Sequence, residues 1–381
     1  MSCRARGRPS LAALAALACG VAVSFGVSGP VVATPPGTPH PPFPAPMSRA
    51  CPPSADAVAF SDGLDKAVVH GVTVGGLSDI AWDPGTGRYA STVDNHADDP
   101  SRIWFWAEPE HARVVGRPLV LRAPDGTPYT GETADNEGLA TLPSGRYVVS
   151  SETEPSVRIF GRHGLQRAEL PVPARFRVAP AGEATANATL EGLTVTPDGR
   201  HVVASMEGTL SGDVGTDRNA TYRRFLIYHH DAGTGWVLGR QVGYQVQPGN
   251  RIAEIQAYGR DGLLVLEAAF DGTAGNAVEL YAVHTTGAPD VSGVDDLASA
   301  PGRDVMAKTL VADVTACPTL GATAKEPQAN PLMDNYEGMT VAPWSWRCPG
   351  CPRVWQVTLV SDDNFSATQT TRVLTLTAQL P

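Results

Sequence analysis

Five stretches of this chain repeat one pattern: a short strand, a tight turn and a second strand, with acids at the ends. They are residues 76–82 with 89–95, 137–142 with 146–152, 191–196 with 201–207, 254–258 with 263–267, and 337–342 with 354–362. The turns between them, Pro84-Gly85-Thr86-Gly87, Pro143-Ser144-Gly145, Pro197-Asp198-Gly199 and Gly259-Arg260-Asp261-Gly262, are hairpin chemistry. The fifth unit is lengthened by an insertion holding Trp344, Trp346, Cys348 and Cys351. More strands follow each hairpin, at 102–107 and 113–121, 157–160, 224–229 and 236–246, 278–284 and 308–314, and 372–380. Four strands per unit at a period of about 60 residues predict an all-β fold, a β-propeller of four-stranded blades.

Five units are visible, and the long stretch between Glu254 and Glu337 leaves room for a sixth blade. A propeller closes by pairing its two chain ends in one blade, and the run 66–74 is expected to complete the blade that holds 372–380. A β-sandwich is the competing architecture, but it does not explain a repeat at this spacing. No amphipathic run is long enough for a helix, and 39 Gly with 33 Pro suit a turn-rich globular chain rather than a disordered or coiled-coil one.

The N-terminus reads as a leader. Arg4, Arg6 and Arg8 precede an apolar stretch over 11–27 and a small-residue cleavage site near Ala33, so residues 1–33 are expected to be a signal peptide and the protein to be secreted. A membrane anchor and a lipid-modified Cys19 are the other readings of this segment. Residues 34–55 form a Pro-rich linker, with nine prolines between Thr34 and Pro53, and the folded domain is expected over 56–381. Loss of the signal takes the net charge from −10 to −13. Such a chain repels phosphate backbones and anionic lipid, so neither nucleic acid nor, after cleavage, a membrane is expected as partner, and a monomer is expected. Four cysteines remain, with three ways to pair; the spacing favours Cys348 with Cys351 and Cys51 with Cys317. The Cys348-Pro349-Gly350-Cys351 run lies in a hairpin tip, not at a strand-to-helix turn, which argues against a redox thiol.

The acids carry the chemistry. In an antiparallel hairpin the first residue of one strand lies beside the last residue of the next. Glu137 is thereby set beside Glu152, Glu191 beside Glu207, Glu254 beside Glu267 and Glu337 beside Asp362, while the first unit has Asp94 at its closing position and Gly75 at its opening one. On the inner strands of successive blades, these nine carboxylates gather at one mouth of the channel. Like charges that close require protons, basic partners or a metal ion. Hard oxygen donors suit Ca²⁺, then Mg²⁺, with Asp94, Glu152, Glu207, Glu267 and Asp362 as metal ligands and Glu137, Glu191, Glu254 and Glu337 as catalytic candidates. Asn95, Asn136, Asn335 and Asn364 are further possible ligands. Solvated acids at strand ends are the plainer alternative.

Other motifs are missing. There is no Gly-x-Ser-x-Gly elbow, no His-Glu-x-x-His and no Walker loop, and His229-His230 reads as a surface pair. Arg223 and Arg251, with Arg224, are the candidates for binding a substrate phosphate.

Taken together, Gly76-Leu77-Ser78 with Thr92-Val93-Asp94, Asp135-Asn136-Glu137-Gly138-Leu139 with Ser150-Ser151-Glu152, Leu190-Glu191-Gly192-Leu193 with Ser205-Met206-Glu207, Glu254 with Leu264-Val265-Leu266-Glu267, and Asp334-Asn335-Tyr336-Glu337-Gly338-Met339 with Val360-Ser361-Asp362-Asp363-Asn364-Phe365 resemble the family called esterase-like activity of phytase, a phytase-like domain. The resemblance spans about residues 75–381. It implies a propeller and the hydrolysis of a small phosphorylated substrate, with the repeated acids in the site. Two departures stand out: Glu267-Ala268 where the family commonly has Glu-Arg, and the cysteine insertion. The expectation is an exported Ca²⁺- or Mg²⁺-dependent phosphoesterase; the alternative is a non-catalytic propeller that binds Ca²⁺ for stability and a ligand or protein partner through its loops.

Overall fold

The computed structural model describes residues 49–94, 96–214, 220–300, 304–343 and 353–381, and in it the repeat closes into a five-bladed β-propeller. The first blade is built from Ala81–Asp83, Arg88–Thr92, Arg102–Ala107 and Arg113–Val114, and the second from Asn136–Thr141, Tyr147–Ser151, Ser156–Phe160 and Gln166–Leu170. The third comprises Leu190–Val195, His201–Met206, Tyr222–Asp231 and Gly235–Gln245, and the fourth Arg251–Tyr258, Gly262–Asp271, Gly275–His284 and Lys308–Asp313. In the fifth, Tyr336–Pro343, Val354–Ser361 and Val373–Gln379 are followed in space by Ala55–Ser61 and Ala50–Cys51. Every pairing along these sheets is antiparallel, and the first strand of each blade packs against the first strand of the next around the channel. Glycines in the left-handed region, Gly145 and Gly199, let the Pro-Ser-Gly and Pro-Asp-Gly turns reverse within the length the repeat allows.

Each pair of neighbouring blades encloses one apolar layer. Trp104 and Trp106 meet Leu77, Val360 and Val373 between the fifth and first blades, and Leu190, Leu193 and Met206 pack with Val157 and Ile159 between the second and third. Alternation supplies these layers, since side chains two apart on a strand enter the same interface.

The blade count, open between five and six in the sequence, is five, and two expectations are corrected. Among the described residues the stretch between Glu254 and Glu337 holds no sixth blade: its strands complete the fourth, which packs directly on the fifth. The run 66–74 does not close the ring. His70 and Gly71 at positive φ break it into Val68–Val69 and Val72–Thr73, a separate two-stranded hairpin, and Ala55–Ser61 pairs with Val373–Gln379 instead. Finally, the β-structure begins at Ala50 rather than 56. Asp313 donates to the carbonyl of Pro52 at 2.6 Å and Ser54 to that of Val311 at 3.0 Å, and a disulfide joins Cys51 to Cys317, so the end of the expected linker is part of the fold. Cys348, Cys351 and residues 1–48, including the expected leader, lie outside the described residues.

The disulfide closes a loop of 266 residues between the edge of the fifth blade and the fourth. Loop-closure entropy for a span this long is about 5.6 kcal/mol, with measured effects commonly ~2–4. A Cys51→Ser/Cys317→Ser double variant is expected to lose about that much stability in denaturant titrations, with Ala50–Cys51 the first strand to exchange its amide protons.

Candidate functional site

The inner strands converge on the channel, and their local sequence shows how. In the Glu-Gly-Leu motif, Leu139, Leu193 and Met339, the last in the variant Glu-Gly-Met, enter the interblade layers. The glycine permits the next strand to come close: a Cβ on Gly192 would stand 2.8 Å from the amide nitrogen of Ile255, and one on Gly338 would stand 2.7 Å from Cα of Asp79. A bulge at this point interrupts the register in the second to fifth blades. It turns one amide per blade away from its own ladder.

Two acids take up those amides. Asp79 accepts from Leu139 at 2.6 Å, Ile80 at 2.6 Å and Met339 at 3.3 Å; Glu254 accepts from Leu193 at 2.9 Å and Ile255 at 2.6 Å. The two carboxyls also bond one another. Burial pushes Asp79 up to about 7, against the pull of Glu254 and the three amides, and burial with the neighbouring Asp79 holds Glu254 well above the carboxylate range. One proton shared by the pair accounts for both directions.

Glu254 therefore stands one layer below the place expected for it. Ile252 pairs with Glu267 as Asn136 pairs with Ser151 and Leu190 with Met206. Counting from these pairs, Ala253 occupies the position of Glu137 and Glu191, and Ala268 that of Glu152 and Glu207. Glu267 is thereby turned between the third and fourth blades, where it accepts from Tyr244 at 2.5 Å and Gln247 at 2.8 Å and pairs with Lys308. The fourth blade thus places neither of its expected acids at the mouth.

It contributes a cation instead. Arg251 lies among the remaining acids and donates to Glu191 at 3.0 Å, Glu207 at 3.2 Å, Glu337 at 2.7 Å and the side-chain oxygen of Asn335 at 3.1 Å. Burial opposes its charge, yet Glu337, Glu191 and Glu207 outweigh it and raise its pKa above the ordinary arginine value. The guanidinium expected to clamp a substrate phosphate is the ring's internal counterion. Arg223 is engaged as well: it donates to the carbonyls of Glu207, Ala220 at 2.7 Å and Asn250 at 3.2 Å, and so fixes the loop after Glu207. Arg224 is buried against Asp213 at 2.7 Å.

The other acids converge as expected, joined by Asp135. Single oxygens of Asp94, Asp135 and Glu137 lie within 4.8 Å of one another, as do those of Glu137, Glu152 and Glu191. Ser78 donates to Glu137. The backbone sets the spacing: the amides of Asp94, Glu152, Glu207 and Asp362 donate to the carbonyls of Gly76, Asp135, Thr189 and Asn335 at 2.8–2.9 Å. Burial first, then neighbouring acids, raises Glu137, Glu191 and Asp362 well above the carboxylate range and Glu152 to about 8. Oxygen donors that hold back their own ionisation for want of positive charge fit a hard divalent cation, and Glu137 belongs to both groups. Asp79 and Ser78 went unrecognised as site residues, although Asp79, like Glu254 in the fourth unit, stands where the second, third and fifth units have glycine.

Because the folded pKa of Asp79 lies above its ordinary value, its contribution to stability is complete below about pH 4 and is lost as pH rises through about 7. Asp79→Asn, which keeps an acceptor for the amides and donates to Glu254, is expected to flatten the fall in melting temperature over that window. Asp79→Ala leaves three amides without their acceptor and is expected to cost about 3 kcal/mol or more by denaturant titration.

A family model described as phytase-like, esterase-like activity of phytase, matches residues 72–365. No curated protein matches the sequence. Among solved structures the chain is similar to a gluconolactonase from Xanthomonas campestris, at 10% identity over 84% of this chain and 89% of that one with a TM-score of 0.34. It is also similar to virginiamycin B lyase from Staphylococcus aureus, at 11% identity over 78% and 65% with a TM-score of 0.32, and to a protein of unknown function from Bacteroides caccae, at 9% identity over 75% and 72% with a TM-score of 0.34. At these scores the likeness decides nothing about the site. The family match covers most of the propeller and all five blades' inner strands, and the chain belongs to the phytase-like family, esterase-like activity of phytase.

Proposed function

We propose that the protein is an exported, divalent-cation-dependent hydrolase of small phosphoric esters that works at the acidic mouth of the propeller. The observation that carries this reading is the pair of three-carboxylate groups sharing Glu137. Asp94, Asp135 and Glu137 would hold the cation, Ca²⁺ or Mg²⁺. Arg251 is bonded to Glu191, Glu207 and Glu337 and keeps those three acids from competing for it. A divalent cation held there supplies a Lewis acid that polarises the ester and lowers the pKa of water. Ser78 fixes the rotamer of Glu137, and Glu152 and Glu191 lie close beside it, where the ionisation that a bound cation would favour would let one of them take a proton from the attacking water. Glu254 has no part in this step, because its oxygens are spent on backbone amides and on Asp79.

Arg251 also favours a second reading. A ring that carries its own guanidinium is partly neutralised without metal, as in a propeller whose acidic mouth serves stability and a bound partner.

The two readings separate in one assay. An aryl phosphodiester, an aryl phosphate and an aryl acetate are offered to the full chain with Ca²⁺ or Mg²⁺ and again with chelator. Turnover of a phosphoric ester is expected to vanish with chelator and to fall about 100-fold or more in Glu137→Gln, beyond the usual effect of losing an outer partner of a metal. A rise in melting temperature on adding the cation, without turnover, supports the binding protein. Acetate cleavage indifferent to chelator overturns the metal-dependent reading.

A further inference from the structure

The acidic mouth is one end of the ring, and the other end has a cavity of its own. Each inner strand runs from the mouth toward its hairpin turn, so that Thr141 stands four residues beyond Glu137, roughly 13 Å along the strand. There the five blades enclose a cup of about 220 Å³. Its wall takes at least one residue from every blade, among them Trp82, Thr141, Thr194, Gln256 and Thr340, and none of the described residues that line it carries a charge.

The wall combines open aromatic surface with fixed polar groups. Trp82 is 48% exposed, although Ala81 and Asp83 on either side of it are buried. Its ring meets Tyr89 edge-on with centroids 5.2 Å apart, and Tyr89 stacks on Trp106 at 4.6 Å, so the indole is braced from within the blade and leaves apolar surface open at the cup. The face of an indole carries negative potential and attracts the C–H groups along one side of a saturated ring. Thr194 Oγ1 accepts from the amide of Ala257 at 3.0 Å and lies 3.0 Å from the side-chain amide of Gln256, which fixes that amide in the wall. The hydroxyl of Thr141 is buried and has no hydrogen-bond partner among the described residues. A hydroxyl kept from water without a partner is destabilising, and a ligand hydroxyl in the cup would supply the missing bond. The volume falls below the ~300–1,000 Å³ of sites for drug-sized ligands and suits a single small ring. An ion placed there would lose hydration and gain no counter-charge from the wall.

We propose that this cup is a second ligand site, independent of the acidic mouth, and that it holds one uncharged sugar ring, its C–H face on Trp82 and its hydroxyls toward Thr141, Gln256 and Thr340. The full chain is titrated with D-glucose, D-galactose, D-mannose and cyclohexanol in the presence of chelator, so that no cation at the mouth takes part and the result does not depend on ester hydrolysis. Binding is followed by saturation-transfer NMR, which is read from the ligand and survives the loss of an indole. At least one sugar is expected to saturate with a Kd of about 1 mM, the range for a ligand of about a dozen heavy atoms, and to bind about tenfold more tightly than cyclohexanol, which has the ring but a single hydroxyl. Trp82→Ala is expected to weaken that sugar about tenfold or more. Thr141→Val removes a hydroxyl that bonds to nothing in the free protein, so its melting temperature is expected to hold or rise while the affinity falls about fivefold. A threonine with a merely structural role leaves the affinity where it was. Failure of all three sugars to saturate by about 100 mM, a hundredfold above the expected Kd, overturns the proposal. Cyclohexanol binding as tightly as the sugar overturns it too, as does unchanged affinity in either variant.

Discussion

Five strands that meet around one axis cannot all keep their backbone amides within their own sheets, and the propeller depends on how those amides are satisfied. Four inner strands bulge at the channel, and five amides, one from each blade, end on Asp79 and Glu254. An unpaired buried amide costs about 1–3 kcal/mol, so the pair of carboxyls does for the centre of the ring what a ladder does within a blade. Two full negative charges so close would repel; a shared proton removes one of them while leaving enough acceptor oxygens. The same two side chains are buried at the centre of the ring, between its two ends. On one side lies the acidic mouth, and on the other a neutral cup lined by Thr141, Thr194 and Thr340.

The acidic mouth is built on that foundation. The bulges of the second to fifth blades carry Glu137, Glu191, Ala253 and Glu337, and Ser78 stands at the matching place in the first, so the geometry that brings the amides to the axis also brings these side chains to the rim. The arrangement is asymmetric where chemistry needs asymmetry. The fourth blade offers alanines and, two residues earlier, Arg251, whose guanidinium serves the third and fifth blades. That leaves the acids of the first and second blades as the place where outside positive charge is most wanted, and there lie Asp94, Asp135, Glu137 and Glu152, all but Glu191 of the two groups of three carboxylates.

Much of this was legible in the residues. The period, the Pro-x-Gly turns and the Glu-Gly-Leu strings were enough for blades, and the closing acids Glu152, Glu207 and Asp362 do lie at the mouth beside Glu137, Glu191 and Glu337. The errors were offsets of one residue. Glu254 and Glu267 satisfy the repeat when letters are matched, but the bulge and the pairing of Ile252 with Glu267 shift both off the ring. A slip of one place on a strand turns a side chain to the opposite face, and local sequence does not count bulges. Ala55–Ser61 was missed for a related reason: a short run of small residues after a proline-rich stretch has little period-two signal until Val373–Gln379 lies beside it.

The sequence alone determined that this chain is a repeat of antiparallel hairpins with acids at their ends, because alternation and turn chemistry are local properties readable along the chain. It thereby determined a propeller, an acidic mouth and the family. Tertiary structure decided which acids share a space, that Arg251 is their counterion and not a free clamp, and that Asp79 and Glu254 gather the amides at the axis. Those outcomes rest on distances between residues tens to hundreds of positions apart, and on a register that only the closed ring fixes.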